Sequence, residues 1–138
     1  MTHISKQKLS KEKEGELYAQ LFRVIARLNK TNAPDFLSEL FGEEEKLMFA
    51  KRLAAIILYI EGSSSYRVWT LLNMSPSTAD RIRLNFQIGK YRNIQSFITK
   101  NRSEYARLLR TLEVILQAGL PPRGRGRWNL VTKLLTEK

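Results

Sequence analysis

The chain has no cysteine and a single histidine, His3, among its 138 residues. A disulfide framework and a thiolate metal site are therefore excluded, and imidazole chemistry has one candidate, set in a polar leader. Acidic residues are scarce beside basic ones, 13 against 24, leaving a formal charge of +11 and a pI near 10.2. Such an excess favours a polyanionic partner, nucleic acid or an acidic membrane surface. Long apolar runs are missing too. The longest, "LAAIILYI" at Leu53 to Ile60, is too short to span a bilayer and directly follows Lys51 and Arg52. The opening "MTHISKQKLSKEKEGE" lacks the apolar centre of a secretory signal, so a cytoplasmic protein with no membrane part is expected. No strand-like alternation competes along the region up to Leu72, and no internal repeat of about 20 to 50 residues is visible.

What is present is helical patterning, enough for one modest core with tails. Residues 1–13 are rich in Lys and Ser and are expected to form a mobile basic arm. Residues 14–91 are expected to form the folded domain. Within it Leu17, Leu21, Val24, Ile25 and Leu28 draw one helical stripe from Glu14 on. "TNAPDFLSELFG" then reads as a break and a short helix, with Pro34 in its first turn and Gly42 as its stop. Glu43 to Glu45 open the next helix at the positive end of its dipole. Leu47, Met48, Leu53, Ile56, Ile57 and Ile60 give that helix a wide apolar face, so it is expected to be central and most buried, with Gly62 ending it. The same glutamates make no metal site, because adjacent helix positions fan across about 200° and cannot converge on one ion. Neither an enzyme nor a cofactor is expected.

The stretch "LLNMSPSTADRIR", Leu71 to Arg83, interrupts apolar and basic sequence with small polar residues. A short helix through Leu72, with Ser63 to Ser65 as cap candidates, would meet a second helix running from about Pro76 to Tyr91. Val68 and Leu72 lie four apart on the first; Met74 plugs the turn; Ala79, Ile82 and Phe86 face them from the second. Asn73 stands where a positive φ is wanted, Ser75 caps the second helix, and Pro76 starts it without sacrificing a needed N–H. This pattern matches a helix-turn-helix, whose second helix enters the DNA major groove. On the helical wheel Ser77, Asp80 and Arg81 point away from the core, and Leu84 and Ile88 continue that outward arc. Ser77, Thr78, Asp80 and Arg81 are the candidates for base edges, because arginine pairs bidentately with guanine and serine can donate or accept. Ser64, Ser65, Tyr66, Arg67, Arg83 and Lys90 are the candidates for phosphate. The competing role for Arg81 and Arg83 is a solvated ion pair with Asp80. Trp69 is large where such units place a small residue, which points to an unusual crossing of the helices.

From about Glu16 to Ile88 the order "LYAQLFRVIARL", "DFLSELF", "GEEEKLMFAKRLAAIILYIEG", "SSYRVWTLLNMSPSTADRIR" resembles the Trp repressor superfamily. The resemblance implies an all-α, Trp-repressor-like helical domain, double-stranded DNA as partner and an intertwined homodimer. It also places the family's two co-repressor arginines on Arg52 and Arg81. Gly42 stands where that pattern has threonine, and Ile82 where it has a glycine beside the indole site, so tryptophan is not the expected ligand.

Residues 89–138 hold 11 basic and 3 acidic side chains, against 13 and 10 in residues 1–88. Tyr105, Leu108, Leu109, Leu112 and Ile115 recur at helical spacing, so residues 92–119 are expected to add a C-terminal helical extension ending near Gly119. Residues 120–138 then read as a basic linker and a short terminal helix. Within them Pro122-Arg123-Gly124-Arg125 resembles an AT-hook core, which lays arginines in the A·T minor groove. A solvated linker offering Arg123, Arg125 and Arg127 to phosphate is the alternative. The expected function is a sequence-specific DNA-binding transcriptional regulator, a homodimeric repressor. The alternatives are the DNA-binding accessory of a mobile element, such as a transposase helix-turn-helix subunit, and an RNA-binding protein.

Overall fold

The computed structural model describes residues 7–105 together with 107, 110, 111 and 114. Among them the ordered elements are α-helices: α1 (Lys11–Ala26), α2 (Ala33–Leu40), α3 (Glu43–Ile60), α4 (Ser65–Leu72), α5 (Pro76–Gln87) and α6 (Arg92–Lys100). No strand occurs among the described residues. They fall into two compact units, divided between Phe49 and Ala50 within α3.

In the first unit α1 starts earlier than its apolar stripe, because Ser10 caps it by accepting from the Lys13 N–H at 3.3 Å. No residue of α1 or α2 is buried. Gly42 does not stop α2 in a left-handed turn. Phe41 leaves that helix in an extended conformation, and the Gly42 N–H donates to Glu45 Oε2 at 2.9 Å, so Gly42 belongs to the start of α3. Phe41 and Phe49 pack with ring centroids 4.9 Å apart.

The second unit holds the core. Ala54 to Tyr59 are buried as six consecutive residues of α3, and Ala55, Ile56, Leu58 and Tyr59 meet Val68 of α4 and Ala79 and Ile82 of α5. Trp69, Leu71, Leu72, Met74, Phe86, Tyr91 and Ile94 pack around this cluster, so the bulk of Trp69 is accommodated at the core margin. The wide face expected for α3 is only half correct. Leu47, Met48 and Leu53 remain exposed, whereas Ala55, Ile56, Leu58 and Tyr59 pack with α4 and α5.

Turns end these helices by backbone geometry. Gly62 adopts φ +85°, and the N–H groups of Gly62 and Ser63 donate to the Tyr59 and Leu58 carbonyls. Gly89, also at φ +85°, ends α5 at Gln87 rather than near Tyr91, with the Lys90 N–H donating to the Asn85 carbonyl. The hydrophobic pattern runs past Gly89 because Tyr91 and Ile94 pack on the same core, and α6 buries Ile98 as well. The C-terminal extension is thus broken at Asn101 before helical backbone returns at 102–105. Leu108, Leu109, Leu112 and Ile115 lie outside the described side chains.

Two stability changes follow. Ile56→Ala, at a side chain with almost no exposure, is expected to lower the unfolding free energy by about 2–5 kcal/mol in chemical denaturation. At Asn73, whose φ is +49°, glycine is expected to be tolerated while valine costs about 1–2 kcal/mol.

Candidate nucleic-acid interface

The site begins with the turn between α4 and α5. Asn73 takes the left-handed conformation (φ 49°, ψ 53°), and the Met74 N–H donates back to the Trp69 carbonyl at 3.2 Å. From α3, Lys51 Nζ donates to the Asn73 carbonyl at 3.0 Å, which pins the turn. Ser75 then starts α5 by accepting from the Thr78 N–H at 3.2 Å, and Pro76 occupies the first turn. The Ser75 hydroxyl lies 3.1 Å from Ser77 Oγ and 2.7 Å from Thr78 Oγ1, so three hydroxyls gather at the helix start.

Buried and exposed residues divide α5 into two faces. Ala79 and Ile82 are buried, while Ser77, Thr78, Asp80, Arg81 and Arg83 are exposed. Leu84 and Ile88 are 57% and 60% exposed, continuing the outer face as apolar groups. Among the described residues, Arg81 and Arg83 make no ion pair with Asp80. Ile82 is a core residue packed with α3 and α4. Arg52 is exposed on α3.

At the start of α4, Ser64 is the cap, accepting from the Arg67 N–H at 3.2 Å, and its own proton stays available. Tyr66 is exposed and meets Trp69 edge-on, with centroids 5.1 Å apart. The Arg67 side chain is exposed as well. Ser65 is half-buried and turned inward, its hydroxyl 3.2 Å from that of Tyr59. Lys90 is exposed just after Gly89. Arg123, Arg125 and Arg127 lie outside the described residues.

Tyr59 is the residue sequence reasoning missed. Its hydroxyl donates to the Ala79 carbonyl at 2.8 Å in a buried position. The available signal was a lone hydroxyl in an apolar run, since a buried tyrosine needs a polar partner. Lys51 was legible only as a flanking charge, because its acceptor is 22 positions away in sequence.

The electrostatics differ between the two units. The first turns of α1, α2 and α3 carry Glu12 and Glu14, Asp35, and Glu43 to Glu45, whereas those of α4, α5 and α6 carry no acid. Residues 1–49 hold eight basic and eight acidic side chains and are neutral; residues 50–138 hold 16 and five, the whole excess of +11. No group of three acidic or histidine side chains converges as a metal site would require among the described residues, and none of their helices is long and apolar enough to cross a membrane.

Comparison with protein-family models, curated proteins and solved structures finds no match. The chemistry of the site therefore stands on its own geometry. Ser75→Ala is expected to cost about 1 kcal/mol of stability in chemical denaturation, whereas Ser75→Asp, an equally good cap, leaves stability unchanged.

Proposed function

We propose that this chain is a sequence-specific DNA-binding transcriptional regulator, a homodimeric repressor of Trp-repressor-like organisation that reads a two-fold site through α5. The observation that carries the reading is the division of α5. One face is locked into the core by Ala79 and Ile82, and the other presents Ser77, Asp80 and Arg81 with no ion pair between Arg81 and Asp80. A rigid helix with an exposed guanidinium suits bidentate recognition of guanine, and the hydroxyls of Ser77 and Thr78 suit base edges or phosphate. Ser64, Arg67, Arg83 and Lys90 serve phosphate in this reading. The acid-free starts of α4 and α5 favour approach of a polyanion, to which their backbone N–H groups and dipoles are attractive.

Self-association is supported by the first unit. On α1, Leu17 and Phe22 are 52% and 63% exposed, and Tyr18, Leu21, Val24 and Ile25 are also exposed large apolar residues. Exposed apolar surface of this extent marks an interaction site. The neutrality of residues 1–49 fits a second copy as the occupant, because a chain of charge +11 meets least repulsion where its charge sums to zero. Two reading helices would then address half-sites about 34 Å apart, one turn of DNA.

Selection from a random duplex library tests the reading: an enriched palindrome is expected, and tight binding without enrichment would sink it in favour of nonspecific polyanion binding. Arg81→Ala is expected to weaken binding to the selected site by about tenfold while nonspecific affinity is kept, since one bidentate base contact is worth about 1–3 kcal/mol. In analytical ultracentrifugation the wild type is expected to sediment as a dimer and Phe22→Glu as a monomer, because symmetry places the new charge in the interface twice. A monomeric wild type would refute the dimer.

A further inference from the structure

α3, α4 and α5 are joined mainly by apolar contact. Such contact is non-directional: it determines how much surface is buried and leaves the relative rotation of two short helices soft. Hydrogen bonds carry angular preferences that can remove this freedom. Among the described residues one chain of them, buried at one link and partly buried at the other, crosses all three helices. The Ala79 carbonyl on α5 can only accept, so the proton in its 2.8 Å contact with Tyr59 comes from tyrosine. Tyr59 has no second proton, so in the 3.2 Å contact with Ser65, the first residue of α4, serine is the donor. The chain therefore runs in one direction, from the Ser65 hydroxyl to that of Tyr59 and on to the Ala79 carbonyl. Its middle member cannot wander, because the Tyr59 ring is 6% exposed and stacks on Phe86 at 6.2 Å.

We propose that Tyr59 is a positioning residue for sequence readout: its hydroxyl, bonded to Ser65 and Ala79, fixes the first turn of α5 against the start of α4 and so aims Ser77, Asp80 and Arg81. This rests on the DNA reading proposed above. Base-edge hydrogen bonds tolerate displacements of only about 0.5 Å, or 10–20°. Attraction to phosphate varies slowly over a screening length of about 8–10 Å. A small rotation of α5 therefore removes specificity and leaves nonspecific affinity intact. That split distinguishes positioning from a general loss of stability.

The test is Tyr59→Phe, which keeps the ring and its stacking on Phe86 and removes only the hydroxyl. The full-length wild type and variant are titrated with the duplex selected by the wild type and with a scrambled duplex, each across a salt series. The variant's preference for the selected duplex is expected to fall about tenfold, the worth of one base contact, with scrambled-duplex affinity and salt slope unchanged. Ile56→Val, a conservative core change one turn away that leaves the hydroxyl chain alone, is expected to keep the wild-type preference. An unchanged preference in Tyr59→Phe, or an equal loss in Ile56→Val, would overturn the positioning role while leaving the DNA reading in place. A wild type that selects no sequence would overturn both.

Discussion

Burial of the second half of α3 is the constraint on which the remaining structure depends. Six consecutive residues, Ala54 to Tyr59, sweep about 500° around a helix, so no single face can hide them. The helix has to be enclosed, and the short α4 and α5 supply much of the cover through Val68, Ala79 and Ile82. Neither of these helices, with 8 and 12 residues, is long enough to be stable alone in water. Each owes its existence to the surface it buries. Small residues, Ala55 and Ala79, and larger ones, Ile56, Val68 and Ile82, are all nearly fully buried in this cluster.

Enclosing α3 also determines what α5 can show. A helix that must bury Ala79 and Ile82 turns Asp80, Arg81, Arg83 and Leu84 outward, since they lie elsewhere on its circumference. The outward side chains make no contribution to this core and are free to serve recognition. The polar contacts around the core have a separate part. Lys51 and Tyr59 are eight residues apart on α3, a rise of about 12 Å, and they reach the turn at Asn73 and the first turns of α4 and α5. Apolar burial supplies most of the stabilisation, and these bonds supply direction.

Charge follows the same partition. The neutral residues 1–49 carry the exposed apolar residues of α1, and residues 50–138 carry the entire positive excess. In the first unit acids stand at helix starts, where they complement the dipole; in the second, serine hydroxyls cap α4 and α5 without adding negative charge. Serine also caps α1, so the two units differ in the acids of their first turns rather than in how the N–H groups are met. Only the second leaves the surface attractive to a polyanion.

Local chemistry was legible without the structure wherever one residue type has one conformational use. Asn73 in the left-handed turn, Ser75 as cap, Pro76 behind it and the inward set Val68, Ala79, Ile82 and Phe86 could all be read from spacing, as could the outward arc through Arg81. The all-helical class followed from periodicity in the same way. Periodicity states which residues share a face and is silent on whether a neighbour covers it. Leu47, Met48 and Leu53 were thus indistinguishable from Ile56, which packs with Val68, Ala79 and Ile82 while they remain exposed. The end of α5 was hidden for a related reason, since α6 continues the apolar pattern beyond Gly89 while packing on the same core. The partners of Lys51 and Tyr59 are 22 and 20 positions distant, and contacts across such separations exist only once helices are placed against one another. The sequence by itself determined that the described chain is helical, how α4 and α5 begin and which way α5 faces, because those are local steric and hydrogen-bonding preferences. The tertiary structure alone decided which apolar faces are covered and which polar groups hold α5 in place, because both depend on distances between residues far apart in the chain.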